Sequence, residues 1–334
     1  MSNEMPRSKS RRRLMRAAPA VALAGLAGHP PPARAQEVVL RAGNAFQEGT
    51  YFSRNYERWI ERVNAEGKGL LQVRYVGGPK AIPTFELANA IRNGVVDLAN
   101  TTTSFTAGVS PESLALSFAS MGMDELRRNG ALDYMNRAMG ERNLMYYARS
   151  GEGFPYHVYL NKRIEKADLS GLKMRIAPIY RDFFGKLGAT VVTIPPGEVY
   201  TALERGVVDG YGWPLMGIFD LGWNEKTKYR VEPGFLNVEL GIIFNAQAWQ
   251  RLSQAQRDYL QKQALWLEQL NLEQARADGP AELERQRRAG VEPIRLPDAE
   301  ARRFVQAAFE EGWAGVLKAS PQHGAKLKEL MYRP

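Results

Sequence analysis

A chain of 334 residues without a cysteine has no thiol for catalysis, for Cys-type zinc sites or for disulfides, so an ordinary apolar core must hold it together. Its formal charge of +9 points at first sight to a polyanionic partner, but residues 1–35 carry seven Lys/Arg against one Glu and hold +6 of it. The rest of the chain is close to balanced at +3, which argues against nucleic acid as a partner.

Residues 1–35 read as a cleaved export signal rather than as part of the fold. Ser10-Arg11-Arg12-Arg13-Leu14-Met15-Arg16 fits the twin-arginine pattern with Leu in place of Phe. An apolar run over 17–27, too short to span a bilayer, follows, and Ala33-Arg34-Ala35 makes an A-x-A cleavage site before Gln36. The expected destination is the periplasm.

The folded part opens with a strand over 38–42 that leads into Asn44, Phe46 and Glu48. A helix over 52–65 places Tyr56, Trp59, Ile60 and Val63 on one face. A second strand covers 70–75. After Gly77-Gly78-Pro79-Lys80 a further helix ends at Gly94. The run Asn100-Thr101-Thr102-Thr103-Ser104-Phe105 carries hydroxyls that can bond a ligand's oxygens or cap the next helix. Residues 154–160 read as a strand passing from one half of the molecule to the other. Tyr156 lies on it, and so does His157, which reads as a hydrogen-bonded structural imidazole.

Residues 169–214 are the most informative stretch. Leu172, Met174 and Ile176 alternate with Lys173 and Arg175 as a short strand does. A helix over 181–187 stops at Gly188, and 190–194 is β-branched throughout. The turn Pro195-Pro196-Gly197 leads to a helix over 198–204, and Val207-Val208 past Gly206 should open a third strand. Such alternation predicts a parallel sheet with right-handed crossovers, and ligands of open sheets bind beyond the carboxyl ends of the strands. Arg175 and Tyr211-Gly212-Trp213 lie on that edge. A guanidinium there can clamp a carboxylate, or it can pair with a neighbouring acid such as Asp182. Spacing does not decide between them.

The same unit occurs earlier. At a constant offset of 112 residues Pro83 meets Pro195, Glu86 meets Glu198, and Gly94-Val95-Val96-Asp97 meets Gly206-Val207-Val208-Asp209. The apolar face repeats as well, Leu87 and Ile91 against Val199 and Leu203. Two similar α/β lobes facing a shared cleft follow from the duplication. Residues 238–244 then read as the return crossover. Ser253 caps a long helix that carries Leu260, Ala264, Leu267 and Leu270 at helical spacing, and Trp266 lies off that stripe as packing. Asp298 begins the last helices, with Phe304, Ala307, Phe309 and Trp313 as core.

GLKMRI, LGAT and IPPGEVYTALERGVVDG followed by a Pro closely resemble the periplasmic solute-binding proteins of TRAP transporters, the DctP-type receptors, and the likeness covers roughly 38–330. The resemblance implies a two-lobed α/β periplasmic-binding-protein fold, each lobe a mainly parallel sheet flanked by helices, with a long helix spanning both. Residues 36–153 with about 240–280 would form lobe I, and 154–239 with about 281–334 lobe II. It further implies that the Arg of GLK-x-R, here Arg175, clamps the substrate's carboxylate. The family's ending D-G-Q-E-N-P is changed to Asp209-Gly210-Tyr211-Gly212-Trp213-Pro214, so Trp213 stands for an often ligand-contacting Asn and Gly212 for the acid. Relatives that take 2-oxo acids keep a Glu there to help hold sodium. No metal or other cofactor is expected here, and the mature chain's histidines, His157 and His323, form no ligand-spaced cluster.

The expected function is capture of an organic carboxylate in the interlobe cleft and its delivery to a TRAP membrane permease. Arg175 would be the anchor. Trp213, Tyr211, Tyr156, Phe46, Glu48 and Thr101 would line the site. An alternative is a receptor that presents its ligand to a membrane sensor. The other class, a secreted two-lobed enzyme, needs a nucleophile or acid/base pair in register, and no such constellation is visible.

Overall fold

In the computed structural model, which describes residues 37–333, the two copies of the repeat become the parallel cores of two separate sheets. The export signal expected over 1–35 lies outside the described residues. The strands in chain order are β1 (Val38–Asn44), β2 (Leu71–Gly77), β3 (Leu98–Thr101), β4 (Leu144–Gly151), β5 (Pro155–Leu160) and β6 (Lys173–Ile176). They continue with β7 (Thr190–Thr193), β8 (Gly210–Pro214), β9 (Tyr229–Glu232), β10 (Leu236–Asn237), β11 (Leu240–Asn245) and β12 (Glu292–Arg295).

The first sheet has the order β2-β1-β3-β11-β4, and the second runs β12-β9-β5-β8-β6-β7 with β10 paired to β5. β1 is parallel to β2 and β3, and β6 is parallel to β7 and β8. Beside β3 and β8 each sheet takes an antiparallel strand, β11 in the first and β5 in the second. The chain therefore crosses between the sheets from β4 to β5, from β10 back to β11, and again from β11 to β12 through the long helix described below.

The repeated Gly-Val-Val-Asp has a physical cause. Gly94 and Gly206 end their helices at φ of +71° and +67°, a region that favours glycine. The amides of Val95 and Val207 then donate to the carbonyls of Ala90 and Ala202 at 2.8 and 2.9 Å. Asp97 and Asp209 accept backbone N–H groups from the adjoining strands, Arg41 at 2.8 Å and Lys173 at 3.0 Å. Each aspartate thus ties the turn to the sheet's first strand. Val207-Val208 belong to this turn and do not open the strand, which begins at Gly210.

The long helix, Gln254–Arg288, starts with a capping box between Ser253 and Gln256. Its first half buries Leu260, Ala264 and Leu267 among Trp59, Val63 and Leu40 of the first lobe. Its far end reaches the second, where Gln286 accepts from Arg230 at 2.6 Å and donates to the carbonyl of Leu215 at 2.7 Å. The C-terminal helices do not stay with the second lobe alone. In the helix Asp298–Ala319, Phe304 packs on Phe183 at 5.1 Å, whereas Trp313 packs on Phe118 of the first half at 6.1 Å. The last helix, Gly324–Met331, sits on the first half, with Ser120 N–H donating to the Met331 carbonyl at 2.9 Å. Apolar side chains at both ends of the helix make this tail a brace rather than part of one lobe.

Candidate functional site

Arg175 lies on β6 beside Tyr211 of β8, at the carboxyl edge of the second sheet, and its side chain is completely buried. Its Nε donates to the Ile194 carbonyl at 2.8 Å, and Nη1 donates to the Tyr180 hydroxyl at 3.1 Å and the Gly212 carbonyl at 3.3 Å. The Tyr180 hydroxyl donates in turn to Gly212 O at 2.6 Å, which fixes the bracket. Nη2 is buried with no partner. No carboxylate pairs with the guanidinium among the described residues, and the expected competitor Asp182 is exposed. Burial pulls the guanidinium below its ordinary pKa, opposed by the neighbouring tyrosines. The seat of this buried cation is thus built of carbonyl and hydroxyl oxygens, with Nη2 left unpartnered.

Gly212 makes the bracket possible. A Cβ there would stand 2.6 Å from the Tyr180 ring, so no acid fits at this position without moving that ring. Among the described residues no group of three His, Asp or Glu side chains is placed to hold a metal ion.

Trp213 covers the seat. The Arg175 Cζ is 5.4 Å from its ring centroid, and the ring packs edge-on against Trp223 at 4.6 Å and Phe52 of the first lobe at 5.7 Å. Its Nε1 is buried without a partner. The ring also borders a small interlobe cavity of about 20 Å³. Phe46, Phe52 and Thr84 line it from the first lobe, and Pro196, Trp213 and Leu221 from the second. Arg175 itself does not border it. Two contacts close the lobes around this region, Tyr51 N–H to Asp220 Oδ2 at 2.6 Å and Ile179 N–H to Ser104 Oγ at 3.2 Å.

The remaining expected residues divide. Tyr156 on β5 is buried against the Tyr180 ring at 5.7 Å, one ring away from the guanidinium. Thr101 occupies the first-lobe position equivalent to Trp213, and its hydroxyl is buried and unpartnered. Tyr211 turns into the core: it stacks on Tyr159 at 5.1 Å, its hydroxyl meets that of Thr227 at 2.7 Å, and it does not border the cavity. Glu48 does not itself border the cavity. It is exposed in an open groove with Gln47, Gly78, Pro79 and Lys80, and Gln47 and Pro79 are shared with the cavity lining. His157 is structural as read, its Nδ1 2.9 Å from the Val231 carbonyl and its pKa pulled down to about 4 by burial.

Sequence reasoning did not single out two residues beside the guanidinium and the cavity. Phe52 sits in the first turn of a helix, and Tyr180 lies in a short 3₁₀ turn without periodicity. Glu239, outside the cavity lining, is fully buried in the return crossover, held by Tyr146 Oη at 2.7 Å and by Thr103 N–H at 2.9 Å. The sequence signal available for it was a lone acid inside an apolar run.

Two duplicated α/β lobes joined by crossing strands, a bridging helix and an interlobe cavity define a two-lobed solute-binding protein. The chain belongs to the bacterial extracellular solute-binding proteins, family 7 (DctP), whose family model matches residues 43–316. It is 28% identical over 211 residues to a monocarboxylate 2-oxoacid-binding periplasmic protein of Nostoc sp., a region covering 59% of this chain and 57% of that relative. The fold is similar to that of a TRAP transporter solute-binding protein of Bordetella bronchiseptica solved with calcium and picolinate, at TM-score 0.78 and 22% identity over 89% of this chain and 92% of that one. It is also similar to one of Pseudoalteromonas atlantica solved with sodium and pyruvate, at TM-score 0.77 and 18% identity over 89% and 93% of the two chains.

Proposed function

We propose that this protein is a periplasmic receptor that captures an organic monocarboxylate, a 2-oxo acid or an aromatic acid, and hands it to a TRAP membrane permease after export by a twin-arginine signal. The observation that carries the reading is the Arg175 guanidinium: fully buried, free at Nη2, and facing no carboxylate among the described residues. A carboxylate arriving there supplies the missing countercharge and accepts the unused N–H groups. Trp213 packs over the same cation and walls the ligand, while Phe46 and Phe52 close from the other lobe. Similarity to the monocarboxylate 2-oxoacid-binding protein of Nostoc supports the ligand class. No acid/base pair stands in the cleft, which favours capture over chemistry. A thermal-shift screen of 2-oxo, aromatic and dicarboxylic acids tests the proposal, because a ligand that binds only the folded state raises the melting temperature. A screen in which no monocarboxylate raises it would refute the reading.

A further inference from the structure

Every hydrogen bond to the Arg175 guanidinium comes from the second lobe, yet the turn that carries one of its partners is held from the first. Tyr180 ends the short turn Pro178–Tyr180, and its hydroxyl accepts from Arg175 Nη1 at 3.1 Å and donates to the Gly212 carbonyl at 2.6 Å. The turn holds itself weakly, for its bond from Tyr180 N–H to the Ala177 carbonyl is long at 3.4 Å. The Ile179 amide precedes that first internal bond and needs a partner from outside. It donates across the cleft to Ser104 Oγ at 3.2 Å, and Ser104, Ile179 and Tyr180 are all buried. Ser104 is placed in turn by a crossing segment. It lies in the helix Thr103–Thr106, and Thr102, the cap of that helix, accepts its N–H at 3.3 Å. Thr103 donates to Glu239 Oε2 from its N–H at 2.9 Å and from its hydroxyl at 2.6 Å. Glu239 stands between β10 and β11, where the chain returns from the second sheet to the first. Contacts thus run without a break from the crossing chain through Ser104 and Tyr180 to the guanidinium.

We propose that Ser104 and Tyr180 act together as positioning residues for the carboxylate anchor: Ser104 holds the Pro178–Tyr180 turn from across the cleft, and the Tyr180 hydroxyl on that turn sets the plane of the Arg175 fork. The proposal rests on the anchor reading above and adds the means by which the first lobe completes a seat built from the second. With the Tyr180 hydroxyl in place, Nη1 is occupied by uncharged oxygens and Nη2 is left for the ligand. When the lobes part, the Ile179 amide exchanges Ser104 for water and the turn keeps only its own bonds. The fork is then aimed less well. Closed lobes and an occupied seat therefore favour each other, because both depend on the same turn. Neither hydroxyl touches the ligand in this scheme, and the loss of either one speeds its release.

A double-mutant cycle tests this on the purified protein with Ser104→Ala, Tyr180→Phe and the double variant, using pyruvate and phenylpyruvate as probes. Ala removes only the hydroxyl, and Phe keeps the ring that packs on Phe184 at 5.0 Å and Phe235 at 5.5 Å. By calorimetry each single variant should bind the probe about tenfold more weakly, and stopped-flow fluorescence should place most of that change in release. The ligand-free melting temperature should stay within about 5 °C of the native value. The double variant should bind within about threefold of the weaker single one, because both changes break the same relay. A double loss equal to the product of the two single losses refutes the relay, and so does native-like affinity in either single variant. Lost affinity that comes only with a large fall in the ligand-free melting temperature marks a structural role and refutes it too. Arg175→Met separates the two readings: binding lost there while the single effects multiply leaves the anchor standing without the relay, and binding retained there refutes the anchor. A native protein that binds neither probe refutes the anchor reading and the relay with it.

Discussion

Replacing Arg175 by Met removes the charge and keeps most of the volume. The loss in binding is that of a desolvated, hydrogen-bonded ion contact, about 2–5 kcal/mol, or about thirtyfold to several thousandfold in Kd. The effect on the ligand-free protein is smaller, because two contributions oppose each other. Gly212 O keeps its bond from the Tyr180 hydroxyl, so only the Ile194 carbonyl loses its partner, a cost of about 1–3 kcal/mol. Against it stands the relief of no longer burying a cation without a counterion. The ligand-free melting temperature should therefore move by less than about 5 °C, while the ligand-induced rise disappears. Calorimetry and thermal denaturation of the two proteins read both quantities. A variant that binds its acid within threefold of the native protein refutes the anchor. A variant that falls far below the native melting temperature without ligand shows the guanidinium to be a structural tie, and the argument from its unsatisfied edge collapses.

Gly212→Ala forces a methyl to within 2.6 Å of the Tyr180 ring and should destabilise the fold by about 1–3 kcal/mol while weakening ligand binding, as read by denaturation and calorimetry. Asp220→Asn weakens the latch that holds Tyr51 N–H at 2.6 Å; ligand release in stopped-flow fluorescence should speed up several-fold with little change in stability. His157 has its pKa pulled to about 4 by burial, below its ordinary value near 6.5. The unfolded chain binds the extra proton between those values, so stability is full above pH 6.5 and falls as pH drops towards 4, by at most about 3 kcal/mol. Denaturation of native and His157→Gln proteins at pH 7 and pH 4.5 isolates that share, and equal slopes for the two would refute it.

How much of this was legible depended on the reach of each interaction. The duplicated helix–glycine–strand unit was visible because its determinants are local: a glycine at positive φ, an aspartate turned back to the neighbouring strand, and an apolar face at helical spacing. Arg175 was visible for the same reason, as a cation at a strand's carboxyl end. Whether it was free or paired was not legible, because Asp182 is six residues along the chain from the cation's strand end only in sequence and is exposed in space. The direction of the Glu48 side chain was not legible, because no periodicity encodes the turn after Phe46. The brace formed by residues 298–331 was missed because Phe304 and Trp313 are equally apolar, and the sequence does not say which lobe each will meet.

The duplication also bears on why a buried arginine stands at this place in the second lobe and not in the first. Through the sheet register and the 112-residue offset, Gly43 is the first-lobe counterpart of Arg175: Gly43 pairs with Ala99 as Arg175 pairs with Tyr211. A Cβ on Gly43 would already stand 3.0 Å from the Leu87 side chain, so the first lobe has no room for a matching arginine at that place. Trp213 is matched there by Thr101, a small hydroxyl residue in place of a large aromatic one. The two lobes thus share a frame and divide the labour. The second supplies charge and an aromatic wall, and the first supplies Phe46, Phe52 and the groups that latch the lobes together. With that division, the proposed receptor would hold a ligand's carboxylate on the second lobe and close the aromatic face of the first over it.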